Sequence, residues 1–303
     1  MKVFLAALWL LGAGPLAPKA PPAGRGGGGV VQRATPPLEF GYPDGVALAR
    51  DGSLYVVDTD NSILRRVSPT GEVSTILGTR LTYPTGVALA PDGTLYVADA
   101  GSKVVWRLGT AGQAPEKLTG RGFIYPSAVA VAADGTLYVA DAGNEGGGSV
   151  QKITPGGRAE TIATNLRKPT GLAVAPNGTV YVAESASNSI RKITKTGLVN
   201  LALESSTLDQ PHGLTLDANG TLYVADTYHN RVLAVSATGQ VTTLADGFSY
   251  PSGVAVDAEG TVFVTDTGHG TLKKISHTGN VSAVASPDAK ASSGLAETFS
   301  TKP

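Results

Sequence analysis

The chain of 303 residues contains no cysteine. That excludes disulfide bonds, a thiol nucleophile and a lipid-modified cysteine anchor, and it leaves the redox compartment open. A surplus of charge of either sign is missing too, since 24 basic residues balance 24 acidic ones. A neutral chain has no long-range pull on nucleic acid or on an acidic membrane surface. Nor does any apolar run reach the length of a membrane-spanning helix. Val3 to Leu11 is an apolar core of nine residues, too short to cross about 30 Å of hydrocarbon. With Lys2 ahead of it, this core reads as a secretory signal over residues 1–20, which predicts an exported protein. A buried or unstructured N-terminus is the plainer alternative.

Glycine, by contrast, is abundant at 39 residues, and the chain repeats. One pattern starts at Pro43, Pro84, Pro126, Pro169, Pro211 and Pro251, in steps of 41, 42, 43, 42 and 40 residues. Within each copy an acidic residue follows the proline at a constant offset of 15: Asp58, Asp99, Asp141, Glu184, Asp226 and Asp266. A period in the forties that carries several short strands is the signature of a β-propeller blade. In each copy two apolar runs flank a tight turn such as Asp92-Gly93 or Asn219-Gly220, where glycine accepts the positive φ of a hairpin. Two further runs follow, giving four antiparallel strands per copy. The first two are apolar on both faces, so neighbouring copies must cover them. Strand one carries small residues (Ala47, Ala88, Ala130, Ala173, Ala255) and is placed innermost; Tyr55, Tyr96, Tyr138, Tyr181, Tyr223 and Phe263 of strand two fill space between blades. Residues 21–38 read as a Gly/Pro-rich linker, residues 39–285 as the six copies, and residues 286–303 as a tail that either starts a further repeat or lies over the closure. The third copy has an insertion, Asn144 to Gly148.

Pro-His-Gly-Leu-Thr-Leu-Asp at Pro211 and Tyr-Val-Ala-Asp-Thr-Tyr-His-Asn-Arg-Val after it closely resemble the NHL repeat. The resemblance covers nearly all of residues 39–285. It implies an all-β fold, a six-bladed propeller of four-stranded antiparallel blades, and no single activity. Exported bacterial propellers are similar in the regularity of their repeats.

In such a blade the middle residue of Pro-x-Gly points into the mouth of the central channel. Those residues are Asp44, Thr85, Ser127, Thr170, His212 and Ser252. A polar ring in a concave site is a binding-site candidate, the plainer reading being that it only holds channel water. Tyr228, His229 and His269 fall on the same face at the rim, as a weaker candidate. The six carboxylates after strand two suit a repeated structural job, accepting hydrogen bonds from the backbone of the next turn. Tyr42, Tyr83, Tyr125 and Tyr250, each just before the proline, are expected to be packed. Basic residues line strand three, but no aromatic stacking set accompanies them, so nucleic acid is not an expected partner.

The fold also resembles that of gluconolactonase- and paraoxonase-like hydrolases, which hold a divalent ion from the Pro-x-Gly position. That resemblance implies Asp44 as a first ligand but leaves Thr170 and His212 where Asn or Asp is wanted, and calcium needs about six or more oxygens. Peptide-amidating lyases place several histidines at that position to bind zinc; only His212 matches, with His229 and His269 nearby at the rim, whereas catalytic zinc takes about three protein ligands. Uniform blades without a unique acid, base or nucleophile predict a monomeric binding or scaffold module for a protein, peptide or glycan, without catalysis or cofactor. The alternative is a metal-dependent hydrolase or lyase using calcium or zinc.

Overall fold

Six sheets, each of four consecutive antiparallel strands, surround one axis. The structure is a computed structural model that describes residues 40–284, apart from 79, 110–113, 145–146, 195–196, 198 and 204–206. For 199–203 only the backbone is described. The expected signal segment, the linker, the tail and the tip of the third-copy insertion lie outside the described residues.

The innermost strands are Pro43–Leu48, Pro84–Leu89, Pro126–Val131, Pro169–Val174, Pro211–Leu216 and Pro251–Val256. Each touches the next, and the last touches the first, so the ring is closed. Every inner strand pairs with its own second strand through the Asp-Gly, Asn-Gly or Glu-Gly hairpin, for example Leu89 opposite Leu95. Gly93 in that turn has φ of 89°, which a side chain would oppose. The glycine of Pro-x-Gly serves closeness instead. A Cβ on Gly45 would lie 2.8 Å from the Cα of Gly86, because inner strands converge at the mouth.

Consecutive residues of strand two are both fully enclosed, as with Val56 and Val57 or Ala183 beside Val182. Both faces of these strands are therefore covered, as an apolar strand without alternation requires. The covering comes from the neighbouring blade. Six apolar clusters fill the six junctions: Tyr55 packs with Val87, Val97 and Trp106 of the second blade, and Phe263 of the sixth packs with Val46 and Val56 of the first. Each such side chain contributes about 1.5–3 kcal/mol on burial.

No described sheet mixes strands from the two ends of the repeat array. The sixth blade instead joins the first through that apolar cluster and a set of hydrogen bonds. Phe40 N–H donates to the Gly270 carbonyl at 3.0 Å. The Thr265 hydroxyl, wholly buried, accepts from Gly253 N–H and donates to the Asp44 carbonyl, each at 2.6 Å. Four other blades carry alanine at the equivalent position, so Thr265 is peculiar to the closing junction. Among the described residues the helical elements are three single 3-10 turns, and none is long and apolar enough to cross a membrane.

Thr265→Val keeps the shape and strands two buried backbone groups. It is expected to cost about 1–3 kcal/mol, read as a lower urea midpoint, while Thr242→Val on an exposed outer strand should stay within about 0.5 kcal/mol. An unchanged midpoint for the first variant would remove Thr265 from the closure.

Candidate functional site

The six carboxylates after strand two are buried and held in place. Each accepts backbone N–H groups mainly from the loop that enters its own blade, rather than from the turn that follows it. Asp58 Oδ1 receives Gly41 N–H at 2.8 Å, Glu184 Oε1 receives Arg167 at 2.8 Å, and Asp226 Oδ1 receives Asp209 at 2.7 Å. Asp99, Asp141 and Asp266 hold Tyr83, Tyr125 and Ser249 in the same way. Bases of strand three neutralise four of them: Arg65 on Asp58 at 2.7 Å, Arg191 on Glu184 at 2.8 Å, Arg231 on Asp226 at 2.8 Å, and Lys273 on Asp266. In the second blade Trp106 Nε1 donates to Asp99 instead. These basic residues are thereby tied to the loops rather than presented as a cationic face.

At the mouth, the carbonyl of each inner-strand proline accepts a hydroxyl from the preceding blade. Two positions share this task. In blades two, three and four it falls to the residue after the inner-strand proline (Pro-x-Gly in blades two and four, Pro-Ser-Ala in blade three): Thr85 bonds Pro126 at 3.2 Å, Ser127 bonds Pro169 at 2.7 Å, and Thr170 bonds Pro211 at 2.9 Å. In blades one, five and six it falls to the threonine just after the carboxylate. Thr59 bonds Pro84 at 2.8 Å, Thr227 bonds Pro251 at 2.8 Å, and Thr267 bonds Pro43 at 2.6 Å. Asp44, His212 and Ser252 are released from bracing, and their blades are adjacent in the closed ring.

The three released side chains meet. Ser252 donates to Asp44 Oδ1, and His212 Nδ1 lies 3.4 Å from the same hydroxyl. Asp44 and Ser252 line an axial cavity of about 60 Å³ together with Thr85, Ser127 and Thr170, which is room for a few ordered waters. Asp44 and His212 keep some surface open to the channel but sit deep in the protein. Burial pushes the Asp44 carboxyl up to about 6, against the lowering effect of the Ser252 hydrogen bond. Burial, with Lys168 nearby, pushes the His212 imidazole down to about 4. The pair thus holds a carboxylate that changes charge near neutrality beside an imidazole that is neutral there.

Above this cluster stand the residues that precede the prolines. Tyr42, Tyr83 and Tyr125 are exposed by 37%, 40% and 38%, contrary to the expected packing, because they crown the mouth where no blade covers them. Tyr250 is half-buried and meets Tyr228 edge to face at 5.4 Å. Of the rim candidates, His229 and His269 bond Asp226 and Asp266 through Nδ1 at 2.9 and 2.8 Å. They do not converge on His212. Among the described residues no three His, Asp, Glu or Cys side chains are placed to share a metal ion. One carboxylate, one imidazole and hydroxyls engaged with carbonyls do not fit a calcium or a zinc centre.

The released trio escaped the sequence reading, although a signal for it was present. Thr59, Thr227 and Thr267 follow their carboxylates where blades two, three and four have Ala100, Ala142 and Ser185.

A family model for the virginiamycin B lyase family matches residues 124–296, and one for the NHL repeat matches residues 81–108. No curated protein matches the sequence. Among solved structures, virginiamycin B lyase from Staphylococcus aureus superposes with a TM-score of 0.64 at 13% identity, over 82% of this chain and 87% of that one. A catalytically inactive histidine-to-alanine variant of it, with quinupristin, gives 0.63 at 13% identity over 84% and 89%. A gluconolactonase from Xanthomonas campestris gives 0.67 at 20% identity over 76% and 85%. At such identities the superpositions speak for the fold, an NHL-type six-bladed propeller. The family match overturns the expectation of a non-catalytic binding or scaffold module. With more than half of its residues matched by that model, the chain belongs to the virginiamycin B lyase family.

Proposed function

We propose that the protein is a lyase that works at the channel mouth, with Asp44 as its base. The release of Asp44, His212 and Ser252 from bracing carries this reading: the ring keeps all six proline carbonyls satisfied while clearing three neighbouring polar side chains for other use. Elimination needs a base for a proton on carbon. The C–H electron pair becomes the new double bond as the bond to the leaving group breaks, and the proton taken by Asp44 is then available to that group. Ser252 orients the carboxylate and favours its charged form, and neutral His212 adds no competing cation. A base whose pKa lies close to the working pH is well matched to this task.

A second reading, hydrolysis, is supported by the cavity beside Asp44, which has room for water, and by the likeness to gluconolactonases. Quinupristin, the compound held by the Staphylococcus aureus relative, is a starting substrate, followed by mass spectrometry. Elimination leaves the summed product mass equal to that of the substrate; hydrolysis adds one water. Failure of Asp44→Asn to lower turnover of any accepted substrate would remove this site from the reaction; a loss of about a hundredfold is expected.

The groups facing Asp44 are Ser252, His212, Tyr42, Tyr83 and Tyr125. With His212 already neutral, kcat/KM should rise with pH through a single acid limb near the Asp44 value of about 6. Ser252→Ala should move that limb upward, because it removes the hydrogen bond that favours the carboxylate, and Ser252→Thr should restore it. A limb that stays in place in Ser252→Ala contradicts the assignment.

Stability should move the opposite way from activity. The folded carboxyl, raised from 3.8 to about 6, destabilises the protein as pH rises through that window. Asp44→Asn is therefore expected to be more stable than the parent at pH 8 by about 1–3 kcal/mol, with the gain gone below about pH 4. Denaturant midpoints at the two pH values check this, and a destabilised variant at pH 8 would contradict it.

A further inference from the structure

Five tyrosines form an arc over the mouth, from the third blade through the first to the fifth. Tyr42, Tyr83 and Tyr125 each stand just before an inner strand of successive blades. Tyr42 lies within electrostatic reach of Tyr83 and Tyr228, and Tyr83 of Tyr125. Tyr228 in turn meets Tyr250. Carboxylates act on four of these tyrosines: Asp44 on Tyr42, Tyr83 and Tyr125, Asp60 on Tyr42 and Tyr83, and Asp209 on Tyr228. Lys168, in the fourth blade, lies within electrostatic reach of His212.

Aromatic faces carry negative charge density and attract cations that shed water easily, ammonium groups bearing alkyl substituents above all. Tyr42, Tyr83 and Tyr125 are each more than a third exposed, which leaves side-chain surface for a ligand to meet. Asp44 sits at the base of the arc, where it lines the cavity. A ligand too large for that cavity would rest on the rings with its charge above the carboxylate.

We propose that the tyrosine arc with Asp44 at its base is a binding site for an organic ammonium group, so that the substrate carries an alkylated or protonated amine. The inference rests on the mouth being the substrate site. Bound there, the cation lies against Tyr42, Tyr83 and Tyr125 and compensates the buried Asp44 charge.

The test is calorimetric titration of the whole protein at pH 8 with choline and with its neutral isostere, in which tert-butyl replaces trimethylammonium. Choline is expected to bind at least about tenfold more tightly, since the two differ in charge and not in shape. Asp44→Asn should lower choline affinity at least about fivefold and leave the isostere unchanged. Tyr83→Leu, which keeps the charge and removes a ring, should also weaken choline. Equal binding of the two probes, or a preference for choline that survives both variants, overturns the inference. Neither result depends on turnover: an inactive protein that discriminates the probes sinks the lyase reading alone, and an active one that does not discriminate sinks the ammonium site alone.

Discussion

A strand that is apolar on both faces has to be covered on both, and no blade of this protein can do that for itself. The six apolar clusters all lie between blades rather than within them. Stability is therefore a property of the ring, and any blade depends on two neighbours. The junction between the last blade and the first bears the same demand without a shared sheet. Phe40, Phe263 and the doubly bonded Thr265 hydroxyl meet it by packing and hydrogen bonding.

Close packing at the axis creates a second demand. Inner strands that converge at the mouth bury their proline carbonyls, and a buried carbonyl without a donor costs about 1–3 kcal/mol. One hydroxyl from the preceding blade meets each demand, and two positions in the blade are able to supply it. This redundancy connects architecture to chemistry. Where a threonine after the carboxylate takes the carbonyl, the residue facing the channel is relieved of a structural duty. In blades five, six and one it has become His212, Ser252 and Asp44. Function enters a repeated fold through an exchange of hydrogen-bond donors, and the same three blades lose one paired residue of the inner ladder beside the proline, as between Pro43 and Val46, where blade two keeps Gly86 opposite Ala98.

The cluster also illustrates how position sets charge. Asp44 and the strand-two carboxylates are all drawn into the protein. Asp58, Asp226 and Asp266 are surrounded by backbone N–H donors and paired with Arg, Lys or His, whereas Asp44 has the Ser252 hydroxyl and, among the described residues, no Arg or Lys ion pair. Enclosure without a counter-charge raises its pKa towards neutrality. A carboxylate in that condition is poorly suited to holding a fold and well suited to moving a proton.

Much of this was legible in the chain by itself. The period, the constant offset from proline to carboxylate and the Asp-Gly turns determine six four-stranded blades, because strand length, hairpin geometry and two-sided apolarity are local properties. The polar ring at Pro-x-Gly was legible for the same reason. What only the tertiary structure decided is which members of that ring are engaged and which are released. Thr85 and Ser252 are both hydroxyls at the same repeat position; one braces a carbonyl and the other holds Asp44, 208 residues away in sequence. Tyr42, Tyr83 and Tyr125 looked packed in one dimension and stand exposed in three, whereas Tyr250 packs against Tyr228, since their surroundings are set by how blades converge. Contacts made across a closed ring join residues with no sequence relation, so a linear reading identifies the candidates and the closure selects among them.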